Sequence, residues 1–242
     1  MPDELAVPFG AATPLSALRY AAAEPGAPVL ALAHGAGAGQ RSPFMSAFAE
    51  AMRSRGVTTV TFDFPYMQQR RRAPDRPVVL EAAWRAVVDG ITAGLKAGAT
   101  SSGTTSSGAA SSGATGLVIG GKSMGGRIAS QVLADPAQPL SAVRGLVLLG
   151  YPLHPPGQPD RPRIAHLPHL ATPTLVVQGS EDPFGTEDEV RQAFGPVPAP
   201  VEWLIVPRGD HSFKVPRRAG PTMDEVLQRL YDTVAAFVHR AP

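Results

Sequence analysis

The stretch Leu117-Val118-Ile119-Gly120-Gly121-Lys122-Ser123-Met124-Gly125-Gly126-Arg127 decides how the rest of the chain is read. Leu117–Gly121 predicts a short strand, and Met124–Ala134 (MGGRIASQVLA) predicts a helix. Between them, Gly121-Lys122-Ser123-Met124-Gly125 matches the pattern G-x-S-x-G in the order strand, sharp turn, helix. A serine on such a turn stands with its hydroxyl exposed beyond the end of the strand. Small neighbours let the following helix pack close, and the helix N-terminus favours negative charge developing beside it. The pentapeptide alone also fits a glycine-rich turn with an incidental serine. An overlapping stretch, Gly116–Ser123 (GLVIGGKS), satisfies the phosphate-binding pattern G-x-x-x-x-G-K-[ST]. Context rejects it. The residues between its glycines should form a cradle after a strand, whereas Leu117, Val118 and Ile119 are themselves the strand. No later apolar run ends in the aspartate that would help hold magnesium.

Outward from this motif, strand-like and helix-like segments alternate. Val29–Ala33 (VLALA), Arg144–Gly150 (RGLVLLG) and Thr174–Gly179 (TLVVQG) read as strands buried on both faces. Val57–Phe64 and Val201–Val206 complete the series, and Leu5–Phe9 and Leu15–Tyr20 read as edge strands. Ser42-Pro43 marks a helix start, followed by Phe44, Met45, Phe48 and Met52 at helical spacing and by Gly56 as a stop. After an Arg- and Pro-rich loop over 65–77, Leu80, Trp84, Val87, Val88, Ile91 and Leu95 form one helical stripe, with Trp84 a core residue. Thr186 with Glu189 and Thr222 with Glu225 predict capping boxes for two further helices. The alternation predicts an α/β class fold: a mainly parallel sheet flanked by helices on both faces. Tyr151–Pro173 is too short and proline-rich for a large cap domain.

The 242 residues suit a single domain spanning 1–242. Residues 97–116 contain only Ala, Gly, Ser and Thr, repeating Ser-Ser-Gly at 101, 106 and 111. Such a segment cannot build a core, and it is read as a flexible insert within the domain. With 22 basic against 20 acidic residues, a net charge of +2 gives no global case for nucleic acid or an anionic membrane. The absence of cysteine excludes disulfides, thiolate metal sites and a Cys nucleophile. The first ten residues lack the features of a signal peptide, and no apolar run approaches the roughly 20 residues of a membrane span, so a cytoplasmic location is expected.

Two loops support the serine. Ser180-Glu181-Asp182-Pro183 follows the strand at Thr174–Gly179, and Arg208-Gly209-Asp210-His211 follows the strand at Val201–Val206. In a parallel sheet both open on the edge that carries Ser123. The chain order Ser, acid, His supplies a nucleophile, a general base and an orienting carboxylate. Ser123, Asp182 and His211 are the expected catalytic residues. Glu181 remains open as the acid, and Asp210, adjacent to His211, is the weaker candidate. An oxyanion needs two fixed N–H donors. Met124, after the serine, and Ala36, in the turn His34-Gly35-Ala36-Gly37, are expected to provide them. His154, His166, His169 and His239 stand at no metal-binding spacing and read as structural. Arg71 and Arg72 (with Arg70), together with Lys214 (with Arg217 and Arg218), form two basic clusters after strands. They are expected to flank the cleft and bind an anionic substrate.

The motifs together resemble a known family. LAHGAGAG at 32–39, SPFM at 42–45, FPYM at 64–67, GGKSMGGR at 120–127, GYPLHPPG at 150–157, QG-x-x-DPFG at 178–185 and GDHSFK at 209–214 look like small bacterial hydrolases. These belong to the dienelactone-hydrolase-like branch of the α/β-hydrolases. The resemblance runs from about Val29 to the C-terminus, outside the insert. It implies the α/β-hydrolase fold and carries the triad onto Ser123, Asp182 and His211, but brings no substrate. The triad chemistry itself leads to the expectation of a serine hydrolase acting on a small-molecule ester or thioester of a small acyl group, with no cofactor. Related domains in chromatin-complex subunits keep a non-catalytic scaffold as the alternative.

Overall fold

The computed structural model describes residues 1–11, 13–101, 116–216 and 220–241. Eight strands form one sheet: β1 (Asp3–Val7), β2 (Leu15–Tyr20), β3 (Val29–Ala33), β4 (Thr58–Phe62), β5 (Leu117–Lys122), β6 (Val143–Leu149), β7 (Thr174–Gly179) and β8 (Val201–Val206). Their spatial order is β1-β2-β4-β3-β5-β6-β7-β8. The pairs β1–β2 and β2–β4 are antiparallel and all the others parallel. The motif strand β5 lies at the centre, between β3 and β6.

Side-chain alternation splits the core into two layers. On β3, Val29, Ala31 and Ala33 face one layer and Leu30 and Leu32 the other. The first layer is closed by α3 (Pro77–Ser101), α4 (Met124–Leu133) and α5 (Glu187–Phe194), through Leu80, Trp84, Ile128, Val132, Val190 and Phe194. The second is closed by α1 (Pro43–Arg53) and α6 (Met223–Arg240), through Met45, Phe48, Met52, Val226, Leu230 and Val234. Trp84 is fully buried, edge-on to Phe62, and its indole N–H donates to the Gly125 carbonyl at 3.1 Å.

Both expected capping boxes form, at Thr186–Glu189 and Thr222–Glu225. Ser42 does occupy the N-cap position of α1, but its side chain makes no capping bond, so Pro43 at the first helical position marks that start instead. The stretch 65–77 is not all loop. It opens with a one-turn helix, α2 (Pro65–Gln68), because Pro65 sets a helical φ and Tyr66 is buried beneath it. Strand β4 accordingly ends at Phe62, and Phe64 caps α2. Strand β1 runs Asp3–Val7, two residues earlier than the alternation predicts. Helix α3 continues to Ser101, into the stretch read as an insert, and the remainder of that expectation, residues 102–115, lies outside the described residues. Between β6 and β7 there is only a single 3₁₀ turn at Leu167–His169, and no large cap. Among the described residues no helix is long and apolar enough to cross a membrane.

The approach of α4 to β3 leaves no space for side chains. A Cβ on Gly125 would lie 2.6 Å from both the Ala33 and His34 carbonyl oxygens, and one on Gly121 would lie 2.6 Å from the Gly125 carbonyl carbon. The contacting atoms are backbone and have little freedom to move. Gly125→Ala should therefore lower stability by about 1–3 kcal/mol, as overpacked sites do. Urea unfolding would show this as a lower midpoint at constant slope.

Candidate active site

Ser123 links β5 to α4 with φ 52° and ψ −117°, a conformation that non-glycine residues rarely adopt. Its own backbone pins it there. The Ser123 N–H donates to the Leu149 carbonyl at the end of β6 (2.9 Å), and its carbonyl accepts from the Arg127 N–H on α4 (3.0 Å). The effect is to push the hydroxyl out at the C-terminal edge of the sheet. Gly35 of the β3–α1 turn lies over it, since a Cβ there would meet the Ser123 Cβ at 3.5 Å.

Strands β7 and β8 end beside each other and deliver the other two groups. Their end loops touch: a Cβ on Gly179 would come 2.3 Å from the Gly209 carbonyl oxygen, and the Glu181 N–H donates to that same carbonyl at 3.0 Å. The structure brings Ser123, His211 and Asp182 into one chain of hydrogen bonds. His211 Nε2 lies 2.8 Å from Ser123 Oγ, and His211 Nδ1 lies 2.7 Å from Asp182 Oδ2. Asp182 is fully buried. Its carboxylate also accepts from Gln178 Nε2 (3.0 Å) and from the Phe184 N–H (2.8 Å), so three donors face a charge buried away from the surface. Glu181 instead points outward, 59% exposed, with Arg208 at 3.5 Å. Asp210 accepts from the N–H groups of Ser212 (2.7 Å) and Lys214 (2.9 Å), which bends the loop that carries His211. Of the acids left open by the sequence, Asp182 is the one that touches the imidazole.

A family model for an alpha/beta hydrolase domain matches residues 26–239. The chain belongs to the α/β-hydrolase family.

No curated protein matches this hydrolase by sequence. Among solved structures it is similar to dienelactone hydrolase from Anabaena variabilis, at 20% identity, covering 100% of this chain and 99% of that one with a TM-score of 0.69. It is also similar to a lidless α/β serine hydrolase from Xanthomonas campestris, at 19% identity, with coverage of 99% and 94% and a TM-score of 0.67. Est1E from Butyrivibrio proteoclasticus, solved with ferulic acid bound, matches at 14% identity, with coverage of 98% of both chains and a TM-score of 0.67. The hydrolase is dienelactone-hydrolase-like in its fold.

A cleft of about 620 Å³ opens over the serine, with Ala36, Met124, Ser123 and His211 among its lining residues. The Ala36 and Met124 amides donate to no other group among the described residues. The turn that carries Ala36 is itself braced. The Phe64 N–H donates to His34 Nε2 (3.2 Å), which leaves Nδ1 to donate to the Gly35 carbonyl (2.8 Å), and burial pushes the His34 pKa down so that the ring stays neutral.

The basic clusters are placed differently from expectation. Arg71, Arg72 and Lys214 are exposed and do not line the cleft. Arg71 turns back to Asp75, 2.5 Å away, because the N-terminal end of α3 brings that carboxylate beneath it. Arg217 and Arg218 lie outside the described residues. The cationic residues that do line the cleft are Lys122, Arg127 and Arg163.

Two further residues hold the site and were not singled out from sequence. Gln178, on β7, is fully buried and joins Asp182 to the Gly185 carbonyl (2.8 Å) and the Tyr151 N–H (2.7 Å). Lys122 sends its ammonium under the histidine loop, donating to the His211 carbonyl at 2.5 Å and sitting 4.9 Å over the Phe213 ring. Gly150, at φ 71°, leaves the room for it, since a Cβ there would lie 2.8 Å from Lys122 Nζ. The only sequence signals are a polar residue within an apolar strand and a lysine inside the serine motif.

Two outcomes are expected of this geometry. Asp182→Asn should reduce turnover of an activated ester by about 10³–10⁴-fold through loss of the imidazole's orientation, while Glu181→Gln should change it less than about twofold. Steady-state kinetics of both variants measures the contrast. For Lys122, burial holds the ammonium pKa down to about 8 from 10.5. Between those values the unfolded chain binds more protons than the folded one, so this group makes unfolding free energy rise with pH across that window. From pH 8 to 10.5, urea unfolding of Lys122→Met should show a smaller gain, or a larger loss, of stability with rising pH than the parent protein.

Proposed function

We propose that the protein is a serine esterase that cleaves an ester or thioester of a small acyl group through an acyl-enzyme. The observation that carries this is the hydrogen-bonded chain Ser123 Oγ, His211 and Asp182, with separations of 2.8 and 2.7 Å at the sheet edge.

In the proposed reaction, His211 Nε2 takes the hydroxyl proton as Ser123 Oγ bonds to the substrate carbonyl carbon. Asp182, accepting from Nδ1–H, fixes the tautomer and stabilises the imidazolium. The carbonyl oxygen becomes an oxyanion and accepts from the N–H of Met124 at the start of α4, where the helix dipole also favours negative charge, and from the N–H of Ala36 in the turn after β3. His211 then returns the proton to the departing alcohol or thiol as the carbonyl re-forms. Water, deprotonated by the same imidazole, releases the acid and restores Ser123. Lys122 acts through His211: by holding its carbonyl it keeps the ring in line with both partners.

The open cleft, without a large cap, supports short or water-soluble acyl groups over long lipid chains. The likeness in fold to Est1E, solved with ferulic acid bound, and to a dienelactone hydrolase supports a compact substrate.

The test is a fluorophosphonate label followed by a panel of activated esters of increasing acyl length. The wild-type protein should label once, and Ser123→Ala should abolish labelling and lower hydrolysis by several orders of magnitude. Rates should fall as the acyl chain lengthens. Unlabelled wild-type protein without esterase activity would favour the non-catalytic scaffold, and undiminished turnover in Ser123→Ala would remove the serine from the mechanism.

A further inference from the structure

Two arginines face the cleft without an anionic partner. Arg127 lies on the first turn of α4, four residues after Ser123, and its N–H donates to the Ser123 carbonyl. Its Nη1 donates to Gln131 Oε1 at 3.1 Å, while its Nε is buried with no hydrogen-bond partner among the described residues. Arg163 comes from the β6–β7 connection. Its backbone is fixed by the Tyr151 hydroxyl, which donates to the Arg163 carbonyl at 2.7 Å, and by its own N–H, which donates to the Leu153 carbonyl at 2.8 Å. Among the described residues its Nη1 donates only to the Pro152 carbonyl, at 3.2 Å.

Neither guanidinium has a carboxylate within 4.0 Å among the described residues. Two acids lie in this region. Asp75 lines the cleft but is occupied by Arg71 and by the Tyr66 N–H. Glu81, on the first turns of α3, attracts Arg127 without reaching it. Burial, and then the like charge of Arg163, pull the Arg127 pKa below its ordinary value. Two cations lining one cleft, one with a buried N–H that has no partner among the described residues, repel each other and leave that donor unsatisfied. An anion seated between them would relieve both terms, and guanidinium donors match a carboxylate in bidentate geometry.

We propose that Arg127 and Arg163 form an anion subsite that binds a carboxylate carried by the ester substrate. This rests on the esterase reading of Ser123. Both guanidinium groups line the same cleft as Ser123, so the carboxylate and the scissile carbonyl belong to one small substrate with a short spacer between them. Half-esters of dicarboxylic acids of succinyl or glutaryl length have that shape. A carboxylate on the alcohol side would present the same group from the other direction.

The experiment compares kcat/KM for three aryl esters of equal size: one with a carboxylate on the acyl side, one with it on the alcohol side, and one neutral. The wild-type protein should prefer one of the two anionic esters over the neutral one by about ten- to a hundredfold. The arm that shows the preference identifies the side. In Arg163→Gln and Arg127→Gln the ratio of anionic to neutral kcat/KM should fall towards one, with Arg127→Lys recovering part of it. Equal kcat/KM for all three esters in the wild type, or a ratio unchanged in both Gln variants, would overturn the subsite. Because Arg127 also contacts Gln131, Arg163→Gln serves as the variant free of that contact. Calorimetric binding of glutarate to Ser123→Ala protein reads the subsite independently of turnover. Binding there that Arg163→Gln (in the Ser123→Ala background) abolishes supports it, and absent binding refutes it. Failure of labelling and of all three hydrolyses, with glutarate still bound, would remove the esterase reading and leave the subsite standing.

Discussion

The structure depends on one backbone conformation: a serine held at φ 52° between the central strand and the helix that follows it. A non-glycine residue in that region costs on the order of 1–3 kcal/mol and persists only when its surroundings over-determine it. Here they do. The Ser123 N–H is bound to β6, its carbonyl to α4, and α4 is seated against β3 through positions where any Cβ would strike backbone. Trp84, from α3, then closes on the Gly125 carbonyl. The two glycines flanking the serine motif are therefore packing requirements as much as requirements of the turn. The strain at Ser123 is repaid in position, since the hydroxyl is exposed at the sheet edge rather than folded back onto the helix.

The second constraint is electrostatic. A carboxylate with no exposure to solvent needs donors, and Asp182 has three: the imidazole, the Gln178 amide and the Phe184 N–H. Removing any one would leave a buried charge less well satisfied, a loss larger than the net value of a typical hydrogen bond. Gln178 carries a double burden, because its carbonyl oxygen also accepts from the Tyr151 N–H. That bond ties the acid to the loop that later supplies Arg163, whose carbonyl accepts from the Tyr151 hydroxyl. The acid and the wall of the cleft are thus parts of one hydrogen-bonded frame. A change in the acid's surroundings has a physical route to the substrate side of the site.

Charge in the cleft comes from single residues on separate elements, Lys122 on β5, Arg127 on α4 and Arg163 in the β6–β7 connection, rather than from clusters in the sequence. Arg70–Arg71–Arg72 is the densest basic run near the motif strands, yet consecutive residues in a turn diverge, and the local carboxylate Asp75 claims Arg71. Arg127 stands alone among apolar and small residues in the sequence. Four residues on an α-helix return a side chain to nearly the same face, so it comes back beside Ser123.

Much of the fold was legible in sequence because it is written in local periodicity. Val29–Ala33 and Thr174–Gly179 are buried on both faces, Thr186 and Thr222 start their helices with a glutamate three residues on, and Ser123, Asp182 and His211 follow the ends of β5, β7 and β8 in chain order. Sequence determined which residue types reach the catalytic edge of the sheet, since a parallel strand delivers its C-terminal loop to one edge whatever its neighbours do. Only the tertiary structure decided which member of each loop turns inward. Glu181 and Asp182 are chemically near-equivalent neighbours, and what separates them is the contact of the β7 and β8 loops, made by Gly179 and Gly209, which are 30 positions apart in the chain. Lys122 under the histidine loop, Gln178 behind the acid, and Arg127 facing Arg163 were decided in the same way. Each depends on distances between segments that share no local pattern, and those distances exist only once the sheet has brought the segments together.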